Sequence, residues 1–144
     1  MDCTIEEKLF HTQEDLSIHV KKLWEHTLAT TDVTPANSAF RHCSLFLCDT
    51  GQRRVAGAYG YSHLGNFILE ILWVDSAHRR HGLGLKLFKA VEDIARKRGC
   101  EQIIGSMYEF HGSRAFFEMA GCEHFATAQS KNAGRDIYYY RRVL

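Results

Sequence analysis

The sequence has little surplus charge and no long apolar run, and both absences exclude whole classes of protein. Its 144 residues hold 18 lysines and arginines against 17 aspartates and glutamates, a formal net charge of +1. A nucleic-acid binder needs surplus basic side chains for the phosphates, so we expect no nucleic-acid partner. No run of about eighteen or more apolar residues occurs, which predicts no membrane span and no membrane partner.

The sequence also lacks the patterns of a leader, a disulfide framework and a metal site. Its start, MDCTIEEKLF, has neither the basic nor the apolar region of a signal peptide, so we expect a cytoplasmic location. The cysteine count is odd, with no C-x-x-C pattern, and the nine histidines form no H-x-x-x-H pair. We therefore expect no metal and no disulfide. The cysteines are Cys3, Cys43, Cys48, Cys100 and Cys122.

Only one proline interrupts the chain, and no repeat, linker or low-complexity segment divides it. A chain of this length is long enough for one domain with a real core, so we expect a single domain over residues 1–144. A homodimer is left open.

Hydrophobic periodicity predicts a mixed α/β fold. In the first part of the chain we expect a strand at 3–10, a helix at about 13–28 and a loop at 29–40. Later strands are predicted at 42–49, 53–63, 66–74, 101–107, 122–128 and 136–143. The helices expected among them are an amphipathic one with an apolar stripe from Leu83 to Ala95, ended by Gly99, and a short one at 113–120. The crossover from 66–74 to 101–107 favours a parallel strand pair.

The stretch FILEILWV, residues 67–74, carries a single polar side chain, Glu70. Strict alternation places Glu70 on one face with Ile68 and Leu72 and leaves apolar residues on the other face, so we expect a central strand buried on both sides. A buried carboxylate is costly unless it is paired or hydrated. Glu70 is therefore either a candidate general base or half of a structural ion pair.

The strand runs into the turn RRHGLG, residues 79–84, just before the amphipathic helix. Glycines let backbone amides approach an anion, and the first amides of a helix have no partner within it. This turn is therefore a candidate phosphate site, although it ends in neither the Lys-Ser/Thr of a Walker loop nor the third glycine of a dinucleotide fingerprint. The other interpretation is a solvated basic turn.

Strand, R-x-x-G-x-G turn and amphipathic helix together resemble motif A of the GNAT acetyltransferase superfamily. The segments FFEMAGCE and GRDIYYYRRVL are similar to that family's last helix and final strand, so the resemblance is strong from 66 to 144 and weaker over 4–63. It implies a mixed, mostly antiparallel twisted sheet of about six to seven strands flanked by about four helices.

The resemblance also implies acetyl-CoA as cosubstrate. The pyrophosphate would lie on the turn, and the pantetheine arm would pair with the backbone of the preceding strand, where a free N–H could polarise the thioester carbonyl. The turn residues are Arg79, Arg80, His81, Gly82, Leu83 and Gly84, and the strand residues are Leu72, Trp73 and Val74. Glu70 then has the position of the family's frequent glutamate base.

The sequence departs from the family where a tyrosine near the sulfur is the usual acid. Phe117 stands in that place, among the cofactor-contacting residues, and no asparagine precedes it in EFHGSR. Tyr108 and His111 are candidate substitutes, each with packing or surface polarity as the alternative. A dedicated acid is unnecessary if the thiolate can leave unaided.

The resulting hypothesis is an N-acetyltransferase that moves acetyl from acetyl-CoA to a primary amine by direct attack. Trp24, Phe40, Tyr59 and Tyr61 either line the acceptor pocket or belong to the core. Small polyamine-like amines, amino acids, aminoglycosides and protein N-termini all stay open as acceptors. The alternative is a CoA-binding sensor or interaction module without turnover. A nucleic-acid role rests only on the basic runs RRH and RKR, which are typical of solvated helix ends.

Overall fold

A computed structural model describes residues 40–108, 113–129 and 135–144 of the chain, and five further residues near its start. Those five are helical and exposed: Ile18, His19, Lys21, Lys22 and Glu25. They fall within the helix predicted at 13–28, whereas the rest of that helix, the strand at 3–10 and the loop up to residue 39 lie outside the described residues. The chain divides into two compact units, Met1–Ser38 and Ala39–Leu144. The single-domain expectation stays a prediction.

The second unit contains a six-stranded mixed sheet in the order β1-β2-β3-β4-β6-β5. Its strands are β1 (Arg41–Cys48), β2 (Arg54–His63), β3 (Asn66–Val74), β4 (Gln102–Tyr108), β5 (Glu123–Ala128) and β6 (Ile137–Val143). Only β3 and β4 pair in parallel, through the predicted crossover, and the other four pairings are antiparallel. The predicted fold class is confirmed, and so is the predicted succession of these six strands along the chain.

Two α-helices follow position 40 within the described residues: α1 (Leu83–Lys97), which connects β3 to β4, and α2 (Ser113–Met119), which follows β4. A single turn of 3₁₀ helix at Ser76–His78 precedes α1. Gly99, at φ +73°, follows the end of α1 as predicted. No helix in the described part of the chain is long and apolar enough to cross a membrane.

The apolar stripe of α1 packs against one face of the sheet, which we call the core face. Alternating strand residues meet this stripe, because successive side chains of a strand point to opposite faces. The buried cluster comprises Ala56, Ala58, Phe67, Leu69, Leu87, Phe88, Val91, Ala95, Cys100 and Ile103. We call the opposite side of the sheet the far face.

Glu70 forms a β-bulge in β3, so the strict two-residue alternation predicted for this strand is wrong. Leu69 pairs with Gly60 and Ile71 with Tyr59, so Glu70 is the extra residue between two consecutive pairs. The core face therefore takes Phe67 and Leu69 before the bulge but Leu72 and Val74 after it. A single extra residue exchanges the two faces of the strand from that point onward.

The strand is also not buried on both sides. Glu70 is exposed, and Ile71 next to it is 52% exposed. The predicted enclosure of the carboxylate is therefore wrong, because the bulge turns Glu70 out of the ladder between β2 and β3.

A different carboxylate is buried in this unit. Glu92 lies at 7% exposure on α1 and accepts a hydrogen bond from Nε of Arg142 at 2.9 Å. Arg142 also donates to the carbonyl oxygen of Gly121 at 3.1 Å, so the pair ties α1 and β6 to the end of α2. Without Arg142, the buried carboxylate of Glu92 would keep only Lys89, whose Nζ lies 3.5 Å from its other oxygen, so this contact is structurally important.

The backbone at the bulge requires Gly60. A Cβ atom there would lie 2.2 Å from the carbonyl oxygen of Ile68 and 2.7 Å from Cε1 of Phe67. The carbonyl belongs to the paired backbone of β3 and cannot move without disturbing the ladder. Gly60 therefore allows the close strand approach that places the bulge at Glu70.

We predict that Gly60→Ala lowers the free energy of unfolding by about 1–3 kcal/mol, the usual cost of overpacking. The control is Gly51→Ala in the exposed β1–β2 turn, where the nearest atom to an added Cβ is a side-chain oxygen of Asp49 at 3.3 Å. We expect that control to change stability by no more than about 0.5 kcal/mol. Urea unfolding measures both, and equal stabilities of the two variants would contradict the interpretation of Gly60.

Candidate active site

The parallel pair β3–β4 separates halfway along its length. Cα pairing runs from Asn66 with Gln102 to Leu69 with Gly105 and then stops, although both strands continue. A cleft of about 270 Å³ lies where the strands part. It is lined by Ile68, Leu69, Glu70, Ile104, Gly105, Ser106 and Tyr139.

Beyond the bulge, every second residue of β3 directs its backbone N–H and C=O groups away from β2, toward the edge that β4 no longer covers. The amide of Asp75 donates to the carbonyl of Val55, so it points toward β2. The carbonyl of Val74 points the other way and accepts a hydrogen bond from Nε of Arg79 at 2.9 Å. By the alternation of an antiparallel ladder, Leu72 shares the orientation of Val74, whereas Trp73 pairs with Gly57 of β2. The indole of Trp73 covers Gly57 on the far face.

The turn between β3 and α1 exposes helix amides to an incoming anion. Gly82 is the N-cap of α1 at φ +74° and makes no side-chain cap hydrogen bond, and the first turn contains no acidic residue. The amide of Lys86 already donates to Gly82, which leaves the amides of Leu83, Gly84 and Leu85 without an intrahelical acceptor. These amides lie at the positive end of a 15-residue helix.

The side chains of the turn also suit an anion. Arg79, Arg80 and His81 are exposed, and nothing lies within 4 Å of the place where a Cβ atom of Gly82 would stand. The space and the charges therefore fit a diphosphate. Gly84 has another role, because a Cβ atom there would lie 3.0 Å from the ring of Phe116 in α2. This glycine allows α2 to pack closely against α1.

Glu70 lies at the cleft and acts electrostatically on the neighbouring strand. The pKa of Tyr61 is raised, first by burial and then by the negative charge of Glu70, with a smaller electrostatic contribution from the neighbouring phenol of Tyr59. Tyr61 pairs with Ile68, which itself lines the cleft. An exposed carboxylate, a phenol and the cleft are therefore adjacent on the far face of the sheet.

Phe117 packs on the core face of the sheet, behind the cleft. Its ring stacks on Tyr140 at a centroid distance of 5.1 Å and lies 3.6 Å from the Cβ position of Gly105, one of the cleft-lining residues. The side chain carries no hydroxyl and cannot act as an acid. Tyr108, 43% exposed, ends β4 beyond the cleft. His111 and Trp24 lie outside the described residues.

The structure adds polar residues that the sequence analysis did not single out. Ser106 and Tyr139 line the cleft opposite Glu70, and they pair with each other across β4 and β6. His42 lies on β1, with Nδ1 2.9 Å from the hydroxyl oxygen of Tyr59. Alternation along β1 and β2 could have placed His42 and Tyr59 on the same face of the sheet. Only the register between the two strands shows that they are in contact. In the described ranges no group of three or more His, Cys, Asp or Glu side chains could hold a metal ion.

Comparison with known proteins adds a family and a fold. The family model described as the acetyltransferase (GNAT) family matches residues 9–122. An acetyltransferase from Bacillus cereus ATCC 14579 superposes with a TM-score of 0.77 at 18% identity, over 96% of this chain and 98% of that one. The ribosomal-protein-S18-alanine N-acetyltransferase from Escherichia coli gives a TM-score of 0.63 at 22% identity, covering 91% and 88%.

A third structure similar to this chain carries a ligand. A protein described as a streptothricin acetyltransferase, from Bacillus anthracis str. Ames, was solved in complex with acetyl coenzyme A. It gives a TM-score of 0.67 at 12% identity, over 72% of this chain and 64% of that one. A search of curated proteins found no significant match. The structural similarities establish the shared fold.

Cys100 and Cys122 are poor nucleophiles. Burial raises the pKa of Cys122 to about 11, with Arg142 acting weakly in the opposite direction. Burial likewise raises the pKa of Cys100. Because the thiolate is the reactive form, both thiols stay protonated at neutral pH. Neither side chain suits a covalent mechanism.

We predict that iodoacetamide labels exposed Cys48 at least about tenfold faster than Cys122 in the folded protein at pH 8, because the labelling rate follows the thiolate fraction and access. In urea the two rates should converge, since the burial that raises the Cys122 pKa is lost. Peptide mass spectrometry measures both rates. Fast labelling of Cys122 in the folded state would contradict its partly buried, protonated state.

Proposed function

Because the chain belongs to the acetyltransferase (GNAT) family, we propose that it transfers the acetyl group of acetyl-CoA to a primary amine. One observation carries this proposal: the unpaired edge of β3 leads from the carboxylate of Glu70 directly to the amide-rich turn before α1. A donor held along that edge would have its anionic end at the turn and its reactive end at the cleft.

The donor-binding residues follow from the direction of each group. The amides at Leu83 and Gly84 would hold the pyrophosphate, since the N-terminus of a helix favours anions, and Gly82 leaves room for it. The exposed side chains of Arg80 and His81 would add positive potential. Arg79 is engaged with the Val74 carbonyl and would hold the turn in place.

The edge of β3 would bind the pantetheine arm as an added strand. Leu72 and Val74 supply backbone groups that face away from β2, whereas Trp73 supports the strand from the far face by packing on Gly57. Phe117 would border the thiol end through its position over Gly105. Acetyl-CoA supplies a thioester-activated acetyl group, and a free amide of the splayed strand would polarise its carbonyl.

Glu70 would accept the proton that the amine must lose before attack. The carboxylate is exposed, so it would act directly or through one water. The amine nitrogen bonds to the acetyl carbon, the carbon–sulfur bond breaks, and the sulfur leaves with the electron pair as a thiolate. A thiol of pKa about 8.5 is an acceptable leaving group, so the absence of a hydroxyl on Phe117 does not prevent turnover.

The second candidate function is CoA binding without turnover, in a sensor or interaction module. Phe117 favours it, because the usual acid position holds a ring that packs on Tyr140. Glu70 at the cleft favours the enzyme. Release of free thiol from acetyl-CoA in the presence of a panel of amines distinguishes the two. We also propose that the chain forms one domain, which the family match over residues 9–122 supports. A cytoplasmic location stays a proposal from the sequence, and a homodimer is left open.

We predict that CoA raises the thermal stability of the wild-type protein, by about 2.7 kcal/mol when its concentration is a hundredfold above the dissociation constant. Gly82→Asp should weaken CoA binding at least about tenfold relative to Gly82→Asn. Both side chains tolerate a left-handed backbone, so only the carboxylate that would repel a phosphate distinguishes them. Calorimetry measures the dissociation constant of CoA for each variant. Equal affinities of the two variants would place the pyrophosphate elsewhere.

We predict that Glu70→Gln lowers kcat on a good amine by about a hundredfold, within the range of general-base catalysis, and leaves CoA affinity unchanged. The melting temperature should also stay unchanged, because Glu70 is exposed. Glu101→Gln is the matched control, since this exposed glutamate lies at the paired end of β3 and β4, away from the cleft. A folded Glu70→Gln variant with normal kcat would remove Glu70 from the mechanism.

A further inference from the structure

A continuous row of five rings crosses β1 and β2 on the far face of the sheet. The ring of Phe40 stacks on that of His63 at a centroid distance of 3.9 Å, and its centroid lies 5.5 Å from that of Tyr61. His42 follows, 5.6 Å from Tyr61 and 6.1 Å from Tyr59. We call these five residues the aromatic row. Its rings hold one another in place, because each contacts at least one neighbour.

The aromatic row reaches the cleft at Tyr61. Tyr61 pairs with Ile68, which lines the cleft, and Tyr59 pairs with Ile71, the residue after the bulge. The negative charge of Glu70 contributes to the raised pKa of Tyr61, so the carboxylate lies within electrostatic range of the row. From β3 to β1 the distance is two strand spacings, about 10 Å.

The charged groups near the row are of both signs, since Arg98 donates a hydrogen bond to the backbone carbonyl of His42 at 3.2 Å. Glu70 carries a negative charge next to it, and burial lowers the pKa of His63, which keeps that imidazole neutral at the pH of an acetyl-transfer assay. On this face the guanidinium of Arg54 lies 4.1 Å above the ring of Phe46, toward the other end of β1 from His42. A cation over a ring is therefore a contact that this face already makes.

We propose that the acceptor is an alkyl amine carrying a second cationic group, and that the ring of Tyr59, which His42 holds in place, binds that second group while Glu70 receives the reacting amine. This inference rests on the proposed function and narrows its acceptor. Aromatic faces attract ammonium ions, most strongly where water is partly excluded. A carboxylate at the far end of the acceptor would instead meet ring faces of negative potential and the charge of Glu70.

Three acceptors of equal length test the proposal: 1,5-diaminopentane, pentylamine and 5-aminopentanoate. We expect kcat/KM for the diamine to exceed that for pentylamine by about tenfold, as a partly desolvated cation–π contact allows, and to exceed that for 5-aminopentanoate by more. Equal values for the three amines, or a preference for the carboxylate, would overturn the proposal.

Two substitutions at one position separate the ring from its hydroxyl. Tyr59→Phe keeps the ring and should keep the preference for the diamine over pentylamine, although it loses the contact with His42. Tyr59→Leu removes the ring and should bring that preference down to about twofold or less. A melting temperature for each variant shows that it is folded. A Tyr59→Leu variant that keeps the full preference would overturn the role of the ring.

A binding measurement separates this proposal from the proposed function. The wild-type protein saturated with CoA is titrated with 1,5-diaminopentane and with 5-aminopentanoate by calorimetry. Diamine binding that depends on the Tyr59 ring supports the site even if no amine is acetylated, in which case the transferase proposal alone fails. Acetylation of all three amines without preference, or a lack of diamine binding, overturns the present inference and leaves the transferase proposal standing on its own evidence.

Discussion

The separation of β3 from β4 after Leu69 is the constraint on which the candidate site depends. Paired strands satisfy each other's backbone groups, and a strand that loses its partner leaves those groups for a ligand. The bulge at Glu70 comes at the same point of β3, so the strand loses its regular pairing on one side and its partner on the other. Gly60 makes this possible, because no larger residue could approach the Ile68 carbonyl so closely.

Two consequences follow from that single irregularity. The bulge brings Glu70 to the cleft as an exposed carboxylate, and it exchanges the faces of β3, so that Leu72 and Val74 join the core. The exchanged alternation also places Trp73 on the far face. The end of the strand is therefore held by packing on both sides while its edge stays available, as a template for an extended ligand requires.

The core beneath the site keeps the turn rigid. Helix α1 is fixed by its apolar stripe and by the ion pair between the buried Glu92 and Arg142, so its first amides have a defined position and direction. Gly84 lets α2 close on α1 through Phe116, and Phe117 in turn stacks on Tyr140 on the core face of the sheet. An anion site of this kind needs preorganised amides, since flexible ones would lose entropy on binding.

The sequence by itself determined the elements after position 40 and predicted the candidate anion site. Strand boundaries at 66–74, the helix after the R-x-x-G-x-G turn and the parallel crossover all follow from local periodicity and glycine placement, which are properties of neighbouring residues. The same local reasoning assigned Glu70 to the strand that precedes this turn.

Only the tertiary structure decided the environment of each carboxylate and the partners across the sheet. Alternation predicted a buried Glu70, but a bulge depends on the register between two strands and leaves no periodic signal in either one. Glu92 is buried because Arg142, fifty positions later, reaches it across the core. His42 likewise meets Tyr59 only through the pairing of β1 with β2. Contacts between residues distant in sequence are set by packing, which local pattern does not encode.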